Sequence, residues 1–198
     1  MEHSAVREEL RRLHAESFGW AVCCAGDAFE AEEVLQIAYL KVLDGRAKFG
    51  GASTFKTWLF AVIRKTAADR RRWNWLRRLR EGAMTPDHER PDRQPSPEQT
   101  LARRETTGQL ERALGALSVR QKEVLQLTFY DGLSIAEAAT VMGVSVGSAR
   151  THYERGKQSL RDRLAQDGIH DERPEQPIVV ASDVPTTTPC LRGPGAGV

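Results

Sequence analysis

No apolar run in this 198-residue chain approaches the roughly 20 residues that a membrane-spanning helix needs. The opening stretch, MEHSAVREELRRLHAES, has no apolar signal-peptide core, so we expect a cytoplasmic protein with no membrane partner. Cysteine is scarce. Of the three, Cys23 and Cys24 are neighbours and Cys190 stands far away in a polar stretch. An odd, sparse set does not build a secreted disulfide framework, and no CxxC spacing offers a metal site. The adjacent pair reads as two small buried side chains in a reducing compartment. The five histidines are scattered, and no carboxylate–His or Cys–His constellation has a supportable spacing. We therefore expect no catalytic residue, no metal and no cofactor.

Acidic side chains are also nearly missing from one segment. Between residues 64 and 80, Arg64, Lys65, Arg70, Arg71, Arg72, Arg77, Arg78 and Arg80 are opposed only by Asp69. The formal net charge of +2 conceals this asymmetry, because acidic residues gather at Asp27, Glu30, Glu32 and Glu33. Two kinds of partner are implied, one of them nucleic acid.

What is present is helical grammar. Asp27 and Glu30 have capping-box spacing. They open a predicted helix to about Leu43, with Val34, Leu35, Ala38, Tyr39, Val42 and Leu43 on one stripe. Gly45 and then Gly50-Gly51 break the pattern. Ser53 is the expected cap of a second helix with Phe55, Trp58, Leu59, Val62 and Ile63 on its apolar face. An N-terminal segment bearing Leu10, Leu13, Phe18 and Trp20 completes an expected three-helix bundle. From Gly82 to Ser96 prolines alternate with charges and too little apolar surface remains to offset chain entropy, so a linker is predicted. Ser96 and Gln99 restart helix, with Pro97 at its first position. Ser118 with Gln121 caps a helix carrying Val124, Leu125, Thr128 and Phe129, which Asp131-Gly132 ends. Ser134 with Glu137 caps a short helix to Met142, and Ser145 caps a last one to about Leu164. The remainder, rich in Pro, Thr and Gly, reads as a disordered C-terminal tail. The expected fold is all-α: a helical domain over residues 1–81, a flexible linker over 82–96, a second helical domain over 97–166, and a tail over 167–198.

Ile135 to Tyr153 carries the most information. A helix-turn-helix needs a small residue where its helices pack closest, and Ala139 fills that place. Four residues on, Gly143 supplies a position that tolerates a left-handed backbone. The following helix is expected to expose Ser148, Arg150, Thr151, His152, Arg155 and Lys157. Arginine reads guanine edges in the major groove, while Ser, Thr and Lys hold phosphates or bases. The arginine-rich segment would neutralise several phosphates and bind in a strongly salt-dependent way. Trp58, Trp73 and Trp75 lie in or beside it, and aromatics among cations suit unstacked bases. Trp58 sits on the apolar stripe, however, and the core is its more natural place. A linker of fifteen residues spans at most about 50 Å, roughly one and a half turns of duplex, so a bipartite DNA site is implied.

At these residues the chain resembles the compact extracytoplasmic-function (ECF) sigma factors of the sigma-70 family. AEEVLQIAYLKVL (Ala31–Leu43) and FKTWLFAVIRKTAADRRR (Phe55–Arg72) are similar to sigma region 2. LGALSVRQKEVLQLTFYDGLSIAEAATVMGVSVGSARTHYERGKQSLR (Leu114–Arg161) is similar to region 4, and the two occur in the family's order. The resemblance implies a sigma subunit whose partners are core RNA polymerase and promoter DNA, both duplex and single-stranded. An anti-sigma factor is a common further partner in the family. By the same resemblance, Glu32, Glu33 and Gln36 would dock on the polymerase clamp helices. Trp58, Arg64, Lys65, Asp69, Arg70, Arg71 and Arg72, with the turn Lys48 to Ser53, would open and hold the −10 element. Ser148, Arg150, Thr151, His152, Arg155 and Lys157 would read the −35 element. The sequence departs from the family at Ile37, at Lys65 and in the turn Lys-Phe-Gly-Gly-Ala-Ser, so the family's −10 base pocket is not carried over.

Two other readings stay open on the residues alone. A stand-alone regulator would need a ligand pocket or dimer helix in residues 1–80, and an enzyme acting on nucleic acid would need a catalytic constellation. The arginine-rich helix end suits neither a ligand pocket nor a dimer helix, and no catalytic constellation with supportable spacing is present in the sequence.

Overall fold

The computed structural model describes residues 3–80, 108 and 110–166, and every described element is helical. The linker, the cap expected at Ser96 and the tail lie outside these residues. Helix α1 (His3–Arg12) and α2 (His14–Ala25) are separated only at Leu13. The hydrogen bonds Leu13 N–H to Glu9 O (3.0 Å) and Ser17 N–H to Leu13 O (2.8 Å) run across that junction. The N-terminal segment is thus two helices where we expected one, and the first domain holds four. Leu13 sits at the bend because its side chain turns into the core, where it is 1% exposed.

Helix α3 (Ala28–Leu43) begins and ends where its caps and stripe place it. The Asp27 carboxylate accepts from Glu30 N–H, and Gly45 takes the positive φ that follows. Helix α4 (Phe55–Arg80) is capped by Thr54, not Ser53: the Thr54 hydroxyl accepts from Thr57 N–H at 3.1 Å. The two hydroxyl residues are adjacent, and what selects Thr54 is that Phe55 must be the first residue of the buried stripe. Helix α4 then runs without a break through the arginine cluster, and its last two turns leave Trp73, Trp75, Leu76 and Leu79 exposed.

Trp20 anchors the first domain. It is fully buried, stacks on Phe60 at 5.8 Å between ring centroids, and donates Nε1–H to the Phe60 carbonyl at 3.0 Å. Phe49, Phe55 and Trp58 form a second aromatic group at the start of α4. Lys41 reaches from α3 to Thr66 and Asp69 on α4.

In the second half, a helical segment over residues 110–115 precedes α5 (Val119–Leu125), α6 (Ile135–Met142) and α7 (Val146–Gln166). Both expected capping boxes are formed, Ser118 with Gln121 and Ser134 with Glu137. Between α5 and α6 the chain widens into a π-helical turn, Gln126–Tyr130. That widening shifts the register of the stripe, so Phe129, expected inside, is exposed and stacks on Tyr153. Gly156 lies where α7 crosses α5: a Cβ there would meet Leu125 Cδ1 at 3.1 Å and Gln121 Cβ at 3.3 Å.

The two halves are packed together. One continuous apolar cluster includes Trp20, Phe60 and Ile63 from the first and Val124, Leu127, Leu133 and Val141 from the second.

Candidate nucleic-acid interface

The helix-turn-helix is built as its residues require. Gly143 ends α6 in the left-handed region (φ 64°, ψ 40°), which a residue bearing Cβ rarely adopts. Ala139 is 2% exposed and Ala149 is fully buried, so α6 and α7 approach closely. Ser145 caps α7, its hydroxyl accepting from Ser148 N–H at 3.1 Å. With Ala149 pinned inward, helical geometry turns Ser148, Arg150, Thr151 and Arg155 to solvent, while His152 and Lys157 are half-buried. Lys157 lies 5.1 Å from the Tyr153 ring centroid, so its ammonium leans along the helix. Thr151 donates its hydroxyl back to Gly147 O, which fixes its rotamer.

The basic face of α4 is divided by the packing. Lys65, Arg71 and Arg72 are exposed, and Trp73 and Trp75 extend the same helix end. Arg77 lies 5.1 Å from the Trp73 ring centroid. Arg70 instead pairs with both Glu30 and Glu33, and its pKa is raised, first by its bond to Glu30. One expected DNA contact and one expected polymerase contact are therefore joined to each other. Glu32 and Gln36 remain exposed on α3 and line a shallow cavity with His14, Phe18, Leu35 and Tyr39. Asp69 pairs with Lys41, and Trp58 is half-buried among Phe49 and Phe55.

Arg64 is the residue whose surroundings sequence reading could not foresee. Its Nε donates to Glu123 at 2.9 Å across the junction of the two halves. Glu123 is 2% exposed, and burial outweighs Arg64 to raise its pKa. Burial likewise pushes the Cys23 thiol up to about 12 and the Cys24 thiol well above its ordinary value, which makes both poor thiolate nucleophiles. Among the described residues no group of three or more His, Cys, Asp and Glu side chains is placed to hold a metal, and no helix is long and apolar enough to cross a membrane.

Residues 5–77 match the family Sigma-70 region 2, and residues 107–160 match Sigma-70, region 4. The chain is 31% identical over 163 residues to the ECF RNA polymerase sigma factor SigE of Mycolicibacterium smegmatis. That match covers 80% of this chain and 62% of the relative, so it spans less than two thirds of the relative's length. It is 28% identical to the ECF RNA polymerase sigma factor SigX of Bacillus subtilis over 178 residues, covering 85% of this chain and 92% of that one.

The chain belongs to the ECF sigma factors of the sigma-70 family.

The fold agrees with that assignment. The sigma factor RpoE of Bartonella quintana, solved in complex with the anti-sigma factor NepR, superposes with a TM-score of 0.64 at 21% identity, covering 80% of this chain and 96% of that one. As an ECF sigma factor the protein is a non-catalytic subunit that gives RNA polymerase its promoter specificity. Region 2 of this sigma factor is the bundle α1–α4, and region 4 contains the helix-turn-helix α6–α7.

Proposed function

We propose that this sigma factor reads the −35 element through α7 and holds the opened −10 element along α4, while α3 docks on core polymerase. The observation that carries this reading is the pairing, in one chain, of a helix-turn-helix whose second helix turns Ser148, Arg150, Thr151 and Arg155 outward with a basic helix end bearing Lys65, Arg71, Arg72, Trp73 and Trp75. Arg150 is the base reader, since a guanidinium at the exposed start of a recognition helix makes bidentate bonds to guanine. Arg71 and Arg72 neutralise phosphates, and Trp73 and Trp75 offer ring faces to unpaired bases. Glu32 and Gln36 contact the polymerase, with Arg70 holding Glu33 beside them. The protein works in the cytoplasm, where its polymerase is, and an anti-sigma factor of the kind bound by its structural relative regulates it.

Promoter-binding measurements on the holoenzyme distinguish the two roles. Arg150→Ala should cost about 1–3 kcal/mol at particular −35 bases and relax preference there. Arg71→Ala with Arg72→Ala should weaken binding on all promoters and flatten its salt dependence by roughly two charges. Uniform loss for Arg150→Ala would make it a phosphate contact, and an unchanged salt slope would remove Arg71 and Arg72 from the DNA.

A further inference from the structure

Two buried residues fix how α7 is turned. Ala149 is fully buried, and Gly156 packs on α5 so closely that a Cβ would meet Leu125 Cδ1 at 3.1 Å. Almost two turns apart, they mark one side of the helix. At about 100° per residue, Gly147, Thr151, Glu154 and Gln158 lie within about 30° of the opposite side, with Arg150 and Arg155 about 70° to either flank. All six are exposed. The centre line of the face that meets the duplex therefore carries an acid between two arginines. The other groups on that line are spent or absent. Gly147 has no side chain, Thr151 donates its hydroxyl to Gly147 O at 3.0 Å, and Gln158 donates its amide to Asp162 at 2.7 Å. Glu154 makes no hydrogen bond or ion pair among the described residues, although Arg150 stands one turn before it and Lys157 one turn after. Lys157 leans on the Tyr153 ring instead, and an arginine four residues N-terminal to a glutamate is the weaker order for a helical pair.

An unpaired carboxylate facing a polyanion is repelled by the phosphates, so it costs affinity unless the duplex offers it a donor. In the major groove the base-edge donors are the N4 amino group of cytosine and the N6 amino group of adenine. Beside adenine N6 lies N7, an acceptor that would confront the second carboxylate oxygen. Beside cytosine N4 on the same base lies only a C–H. Cytosine is the better partner. We propose that Glu154 is a specificity-determining residue of the −35 reader, its carboxylate accepting from the N4 amino group of one cytosine. Guanine and thymine present acceptors in the major groove, so the charge that binds cytosine rejects them at the same position. Arg150 and Glu154 are about 6 Å apart along the helix axis, about two base-pair steps, which places this cytosine within about two base pairs of the guanine that Arg150 reads. The inference rests on the reading of α7 as the −35 reader and adds to it a base that no arginine, serine or threonine on the helix accounts for.

The test is binding by holoenzyme, assembled from core RNA polymerase and the full chain, to a promoter it transcribes and to variants with each −35 base pair replaced in turn. Wild type should bind about tenfold more weakly when one particular cytosine is replaced by guanine or thymine. Glu154→Ala should lose that discrimination at the one base pair and keep it at the others. Glu154→Gln should move the preference there to adenine, whose N6 and N7 an amide matches with two bonds. Glu154→Ala that changes affinity equally on every sequence, or not at all, would overturn the proposal and make Glu154 a solvated acid. Glu154→Gln with the full discrimination of wild type would overturn it too. Arg150→Ala, measured alongside, separates the two levels of the argument. If it relaxes a guanine preference while Glu154→Ala relaxes none, the −35 reader stands and the role of Glu154 falls. If neither variant relaxes any preference, reading by α7 falls and the role of Glu154 with it.

Discussion

Trp20→Ala should destabilise the protein by about 3–5 kcal/mol, the largest effect expected of any single truncation here. Three losses coincide at this side chain. Its apolar area leaves a fully buried site. Its stacking on Phe60 disappears, and the Phe60 carbonyl loses the indole N–H that now satisfies it at 3.0 Å. The backbone around it is helical on both α2 and α4, so the cavity cannot collapse by moving a loop. Chemical denaturation of purified protein checks this, and Trp20→Phe should retain the packing while losing the hydrogen bond. A loss below about 1 kcal/mol for the alanine variant would show that the packing of α2 on α4 contributes little.

The second large effect is a pH dependence centred on Asp131. Its pKa is raised from 3.8 to about 6, first by burial and then by the neighbouring Glu16 carboxylate, with Lys56 opposing both. Because the folded-state pKa lies above the unfolded one, the folded form binds more protons than the unfolded form between these values. The stabilisation is fully present below about pH 3.8 and is lost as pH rises through about 6. The span of roughly two pKa units corresponds to at most about 3 kcal/mol. Asp131→Asn removes the charge and keeps the shape. It should therefore stabilise the protein at pH 7.5 relative to wild type, and the difference should vanish near pH 4. Thermal unfolding of both proteins at the two pH values is the check. A gain of equal size at both would place the effect in packing rather than ionisation.

The local grammar was legible from residues alone because it depends on neighbours in sequence. The caps at Asp27, Ser118, Ser134 and Ser145, the turn at Gly143 and the bounds of α3 are set within a few positions, and the chain adopts them as expected. Three features escaped for one shared reason: tertiary packing decides them. The bend at Leu13 carries neither Gly nor Pro. The choice of Thr54 over Ser53 follows from where Phe55 must be buried. The π-helical turn that brings Phe129 out to Tyr153 has no residue signature of its own. The candidate site divides likewise. Exposure of Ser148, Arg150, Thr151 and Arg155 followed from helical periodicity once Ala149 faced inward. The pairing of Arg70 with Glu30 and Glu33, and of Arg64 with Glu123, joins positions 37 to 59 residues apart, and no local pattern announces it. Glu123, beside Val124 on a buried stripe, was the one available signal that a cation must come from elsewhere.

The central claim is most directly tested by transcription with purified core RNA polymerase on bacterial promoter DNA, with and without this protein. Specific transcripts that appear only when it is present, with start sites sharing upstream −35 and −10 sequences, are the predicted result. Failure to form a complex with core polymerase, together with tight binding of the free chain to a specific duplex, would contradict it.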